Sequence, residues 1–224
     1  MNIIKFIRNP KEKIEKDQSI FQMILEFIVL FFLCIGLGAI ALFLTELLRN
    51  SGLIPQYVRE YDETTKAIRS NILFVAILFP IMEELAFRLY LLRSNLNIFI
   101  SSLFITHMIS SAFIFQTSSF SLEEYGVLRT VISFSTAFLV LLIYRSKTIS
   151  LGFKSLYFTS AFFFGLVHIY NYDYTNFQIF IFAILICTPQ IIGGFIFGYT
   201  RIKYGIVGAI ILHGLVNGVP QMIL

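Results

Sequence analysis

Apolar residues fall along the chain in blocks of about twenty, separated by short polar gaps and without the period-two alternation that a spanning β-barrel needs. A block of that length crosses roughly 30 Å of hydrocarbon as a helix. The pattern predicts spans at about 21–48, 71–92, 96–115, 127–144, 153–170, 177–200 and 205–223. The fold expected is all-α: a polytopic transmembrane helix bundle of about seven spans. Residues 1–20 form a basic cytoplasmic N-terminal segment, 21–70 a first transmembrane helix with a polar loop, and 71–224 the core. The first block follows Lys and Arg and contains Ala39-Ile40-Ala41, which imitates a signal-peptide cleavage site. It continues to Leu48, too long for a signal-peptide core, and reads as an uncleaved span.

Composition agrees, since 57% of the 224 residues are hydrophobic and 13% charged, far outside the usual soluble balance. No soluble domain fits between the spans, and no internal repeat is visible. The net charge of +4 is carried mainly by "KFIRNPKEKIEKD" and by short loops. That placement suits the surface of a lipid bilayer and gives no support to nucleic-acid binding. An N-inside, C-outside topology puts eleven loop Lys and Arg on the cytoplasmic side and four outside, all four in the long stretch "RNSGLIPQYVREYDETTKAIRS". Low charge with abundant Phe, Ile and Asn fits a multi-pass protein of a cell membrane, the bacterial plasma membrane. Cys34 and Cys187 lie inside apolar blocks, without ligand spacing, and read as small buried hydrophobes.

Against this background the stretch "MEELAFR", Met82 to Arg88, stands out. Of thirteen acidic residues, Glu83 and Glu84 alone fall near the middle of a predicted span. Unpaired, these two carboxylates and Arg88 would cost on the order of 8 kcal/mol in hydrocarbon. Glu84 and Arg88 form an i,i+4 pair on one face. Glu83 points about 100° away and needs a partner from another helix, a proton or water.

Two later stretches supply partners. "FGLVH" places Phe164 and His168 four residues apart near the end of the fifth span, and "HGLVN" places His213 and Asn217 on one face of the seventh. Gly194 with Gly198, and Gly214 with Gly218, make small-residue ridges on which helices can pack closely. Two carboxylates, a guanidinium, two imidazoles and an amide on three helices suggest a hydrolytic site with a base, a proton shuttle and oxyanion donors. His107, in "ITHMISS", reads as a maker of interhelical hydrogen bonds.

The order E-E-x-x-x-R, F-x-x-x-H, H-x-x-x-N resembles the CPBP family (Abi, or CAAX protease and bacteriocin-processing) of intramembrane endopeptidases, over about residues 71–220. The glycine-rich run, basic turn and last helix of "GGFIFGYTRIKYGIVGAIILHGLVN" share in the resemblance. It implies a catalytic set in which Glu83 activates water with help from His168, and His213 with Asn217 holds the oxyanion. Glu84 and Arg88 are then supporting residues. The substrate implied is a peptide or lipidated peptide at the membrane, prenylated or exported.

Glu83, His168 and His213 also match the ligand types of a catalytic zinc, although H-E-x-x-H is absent. The cofactor stays open, with a metal-free mechanism preferred over zinc. Serine chemistry lacks G-x-S-x-G, and Asp17, Asp62 and Asp173 lie outside the apolar blocks, which removes an aspartyl pair. The alternatives are a non-catalytic bacteriocin-immunity or binding protein and, further off, a proton-coupled transporter. With the N-terminus inside, the fifth span runs outward, so His168 and the site should face the exterior half, opposite to what a cytosolic prenylated substrate requires.

Overall fold

The computed structural model describes residues 3–14, 18–56, 71–115, 117, 125–147, 151–172 and 177–223. Asp17, Asp62, Asp173 and most of the long polar loop lie outside them. The described residues form a helical bundle without strands: α1 (Ile3–Arg8), α2 (Ile20–Asn50), α3 (Phe79–Phe87), α4 (Asn95–Ile109), α5 (Gly126–Arg145), α6 (Phe153–Val167), α7 (Phe177–Ile181), α8 (Ala183–Ile186) and α9 (Thr188–Ile223). Local signals set several starts. Ser19 and Gln22 exchange side-chain and backbone bonds in a capping box at α2, and Ser94 accepts from the Asn97 N–H at α4.

Three of the predicted spans change form. Among the described residues, four helices are long and apolar enough to cross a membrane, at Ile20–Asn50, Asn95–Ile114, Gly126–Arg145 and Thr188–Met222. The predicted 71–92 helix is interrupted: Phe74–Leu78 is a π-helical turn, α3 follows, and the helix ends at Arg88 before a 3-10 turn at Leu89–Leu91. Pro80 is one cause, because it has no N–H for the carbonyl four residues back. The chain widens instead, with the Phe79 N–H reaching Phe74. The predicted 177–200 span is broken into α7, α8 and the start of α9. The fifth predicted span is the short α6 plus a 3-10 turn at His168–Asn171.

Helix α9 is a folded hairpin. Gly205 has φ 85° and ψ −179°, a conformation reserved for glycine. In a straight helix Phe197 and His213 would stand roughly 24 Å apart, yet their rings stack at 4.3 Å. The two arms, residues 188–204 and 206–223, thus keep the predicted boundary between the last two spans.

The arms form the centre of the bundle, with α2, α6 and α3 packed on them, while α5 packs on α4. The glycine ridges find their partners. A Cβ at Gly194 would meet the Ala161 carbonyl at 2.6 Å, and one at Gly214 the Ala76 carbonyl at 2.3 Å. Helix α2 runs antiparallel to the first arm, from Glu26 beside Lys203 to Thr45 beside Leu185. One end of the bundle, here the base, therefore holds Lys203, Arg93 and the Leu151 segment. His168 lies at the other end of α6. Cys34 and Cys187 are both free and buried.

Candidate active site

Helix α3 carries Glu83 and Glu84 and is C-capped by Arg88. The last carbonyls of a helix lack intrahelical donors, and here three other helices supply them. Ser101 of α4 donates to Leu85 at 2.9 Å, Ser160 of α6 donates to Phe87, and Arg201 of α9 donates from Nε to the Arg88 carbonyl at 3.3 Å. This fixes the direction in which α3 presents its carboxylates.

Glu84 and Arg88 are both 0% exposed. Arg88 Nε lies 3.7 Å from Glu84 Oε2, Nη2 donates to the Gly194 carbonyl at 3.3 Å, and the guanidinium lies 3.8 Å from the centre of the Phe164 ring. The second Glu84 oxygen sits 3.0 Å from His213 Nδ1. Glu84 is therefore shared between Arg88 and His213, where spacing alone assigns it to Arg88.

His213 bridges both carboxylates, since its Nε2 is 3.4 Å from Glu83 Oε2. Its ring is held by stacking on Phe197 and by an edge contact with Phe164 at 5.5 Å. Glu83 Oε2, Glu84 Oε2, Arg88 Nε and Arg88 Nη1 are buried and lack a hydrogen-bond partner among the described residues. Native interiors leave few such groups, and a concentration of them marks a place where chemistry or water matters.

His168 opens the 3-10 turn after α6, with Nδ1 2.7 Å from the Phe164 carbonyl. A carbonyl only accepts, so Nδ1 carries the proton, and the acceptor of the neutral ring is Nε2. Its ring meets Phe164 edge-on at 5.0 Å, which leaves Phe164 between the two histidines. His168 makes no hydrogen bond with Glu83. Asn217, one turn beyond His213, donates to the Val75 carbonyl at a long 3.4 Å.

The geometry thus gathers Glu83, Glu84, Arg88 and His213 directly, with His168 and Asn217 around them. Among the described residues no three His, Cys, Asp or Glu side chains converge on one metal-ligating point. The candidate zinc set Glu83, His168 and His213 does not fit as a joint ligand shell in this arrangement.

Two residues were missed by sequence reasoning. Arg201, counted with the loop cations, is buried against the Arg88 carbonyl. Nothing in the sequence marked it, because the contact is made only when α9 folds against the end of α3. Arg129 is 0% exposed and donates to Ser111 at 2.9 Å, and the sequence reading gave it no role. Near His107, this Ser111–Arg129 bond is one interhelical link, and the His107 carbonyl accepts from Ser110 and Ser111.

Residues 150–219 match a family model described as Rce1-like, type II CAAX prenyl endopeptidase. No curated protein and no solved structure matches the chain. The matched stretch, under a third of the chain, includes His168, His213 and Asn217. Glu83, Glu84 and Arg88 lie outside it and are joined to it by the contacts of His213, Gly194 and Arg201. The match supports a CAAX-type protease, and the apolar helices a multi-pass membrane protein.

Proposed function

We propose that the protein is an intramembrane endopeptidase that hydrolyses a peptide bond of a membrane-associated substrate, prenylated or exported, through water activated by Glu83. The observation that carries this reading is the bridge of His213 between the buried Glu84 and the half-buried Glu83, whose enclosed Oε2 faces Nε2 at 3.4 Å and is hydrogen-bonded to no described residue. A water at ordinary hydrogen-bond distance, about 2.8 Å, can touch both atoms at once. Glu83 takes its proton as the oxygen attacks the carbonyl.

Glu84, balanced by Arg88, accepts from His213 Nδ1 and holds the imidazole with Nε2 turned toward Glu83. His213 Nε2, 3.4 Å from Glu83 Oε2, stands where it can meet the oxyanion that forms as Glu83 takes the water's proton. Asn217, whose bond to Val75 is long and easily exchanged, adds a second oxyanion donor. His168, with its proton on Nδ1, offers Nε2 to move protons between Glu83 and the leaving amine. The metal-free route is preferred because the donor set does not close around one point. The ionic cluster, with Glu84, Arg88 and His213 buried and Glu83 half-buried at its edge, favours catalysis over binding-only immunity, since recognition alone gains little from holding a carboxylate oxygen without a partner inside a membrane bundle.

The test is Glu83→Gln, which keeps the shape and hydrogen bonding but not the basicity. With purified protein in detergent and quenched prenylated or exported-type peptides, the variant should fold and bind but not cut. A Glu83→Gln protein that still cleaves at the wild-type rate would sink the proposal.

A further inference from the structure

The N-terminal segment was expected only to be basic and cytoplasmic, but the fold uses it as a strap across the base of the bundle. Phe6 is 0% exposed and meets Tyr157 and Tyr199 edge-on at 5.1 and 5.2 Å. Ile3, Ile7 and Ile14 pack on the same core, and Pro10 is buried. Glu12 forms an ion pair with Arg93 at 3.7 Å, and Arg93 donates to the Leu151 carbonyl. The strap therefore spans the ends of several helices from underneath.

Its other face is cationic. Lys5, Arg8, Lys11 and Lys13 are all exposed, and none makes an ion pair or hydrogen bond with a described residue. The one described acid of the strap, Glu12, is taken by Arg93. Lys147 and Lys154 are exposed on either side of Leu151, at the same end. Residues with apolar side chains turned into a membrane bundle and cations turned away from it sit where the bilayer meets water.

We propose that this strap is a docking surface for anionic phospholipid headgroups of the leaflet at the base of the bundle. The charges are complementary. The anchor holds the cations at a fixed depth, so their ordering cost is already met when a headgroup binds. Phe6 makes the contact more than a passive belt, because binding the outer face of the strap favours the state in which Phe6 is seated against Tyr157 and Tyr199. This inference does not depend on the peptidase reading.

The experiment follows hydrogen exchange of residues 3–14 in the full chain, held in nanodiscs of phosphatidylcholine with or without phosphatidylglycerol. Four cations at the surface should slow exchange of the strap by about tenfold or more in the anionic bilayer, less so at high salt. The variant with Lys5, Arg8, Lys11 and Lys13 all changed to Gln, exposed positions that the fold does not need, should exchange equally in both bilayers. Phe6→Ala should exchange faster in both and keep the preference for phosphatidylglycerol. The proposal is overturned if the wild-type strap exchanges alike in both bilayers, or if the fourfold variant keeps the difference. It is overturned too if inorganic phosphate added to the neutral bilayer reproduces the protection, since that marks a site for free anions.

Discussion

Removing the Arg88 guanidinium tests the logic of the buried cluster most directly. In Arg88→Met, Glu84 keeps its bond to His213 but loses the cation 3.7 Å away. The Gly194 carbonyl loses its donor, and Phe164 loses a cation seated 3.8 Å from its centre. Breaking a buried ion pair from one side costs about 3–5 kcal/mol, because the remaining charge is left unbalanced. Methionine refills most of the volume, so little cavity cost is added. A loss of about 4 kcal/mol lowers the melting temperature of a chain this size by roughly 10 °C.

The effect should shrink when the orphaned charge is removed as well. In the double variant Glu84→Gln with Arg88→Met, the glutamine still hydrogen-bonds His213 and no net charge is stranded. More than half of the lost stability should return, as replacing a buried pair by neutral groups is often close to neutral. Thermal melting of the four proteins in one detergent completes the double-mutant cycle. Arg88→Met melting within about 2 °C of wild type, or effects that simply add, would refute the argument that Glu84 is held as a charge.

Other outcomes can be stated more briefly. Asn217→Ala should reduce turnover about 100- to 1000-fold with little change in substrate binding, checked by single-turnover cleavage; near-normal turnover removes it as an oxyanion donor. A strong chelator should leave cleavage unchanged, whereas loss restored by added zinc would reverse the preference for a metal-free route. Gly214→Val should prevent the second arm from seating on the π-turn, where even a Cβ would meet a carbonyl at 2.3 Å, and yield little folded protein on size-exclusion chromatography. Arg201→Ala should lower the catalytic rate more than the melting temperature, and Arg201→Lys should recover part of it, because its bond is to the backbone that ends α3.

Much of the bundle was legible because hydrocarbon demands long apolar blocks, and α2, α4 and α5 lie close to where the blocks placed them. The interruptions were harder to read. Pro80 is a local signal for the widened turn before α3, but the break at Phe182 and Cys187 has no glycine or proline of its own beyond Pro189. The i,i+4 rule put His213 and Asn217 on one face, and isolation in hydrocarbon singled out Glu83 and Glu84. Neither could show that the imidazole stands between the two carboxylates, because that depends on the fold of α9 at Gly205 and on the close approach at Gly214. The same limit hid Arg201. In sequence it is one more cation in a basic turn, and only the hairpin brings it to the end of α3, where the carboxylates need a fixed helix. The separation between legible and hidden residues therefore follows contact distance: pairs within one helix were readable, and pairs made by folding one helix against another were not. The site's central contact, Glu83 to His213 across 130 residues of chain, is of the second kind, and its direct measure is a distance. Cysteines placed at 83 and 213 in a background lacking Cys34 and Cys187 should be joined by a short bifunctional methanethiosulfonate, which replaces the reach of the two long side chains that meet at 3.4 Å, a reach that a direct disulfide lacks; a folded pair that the reagent leaves unjoined would refute the contact.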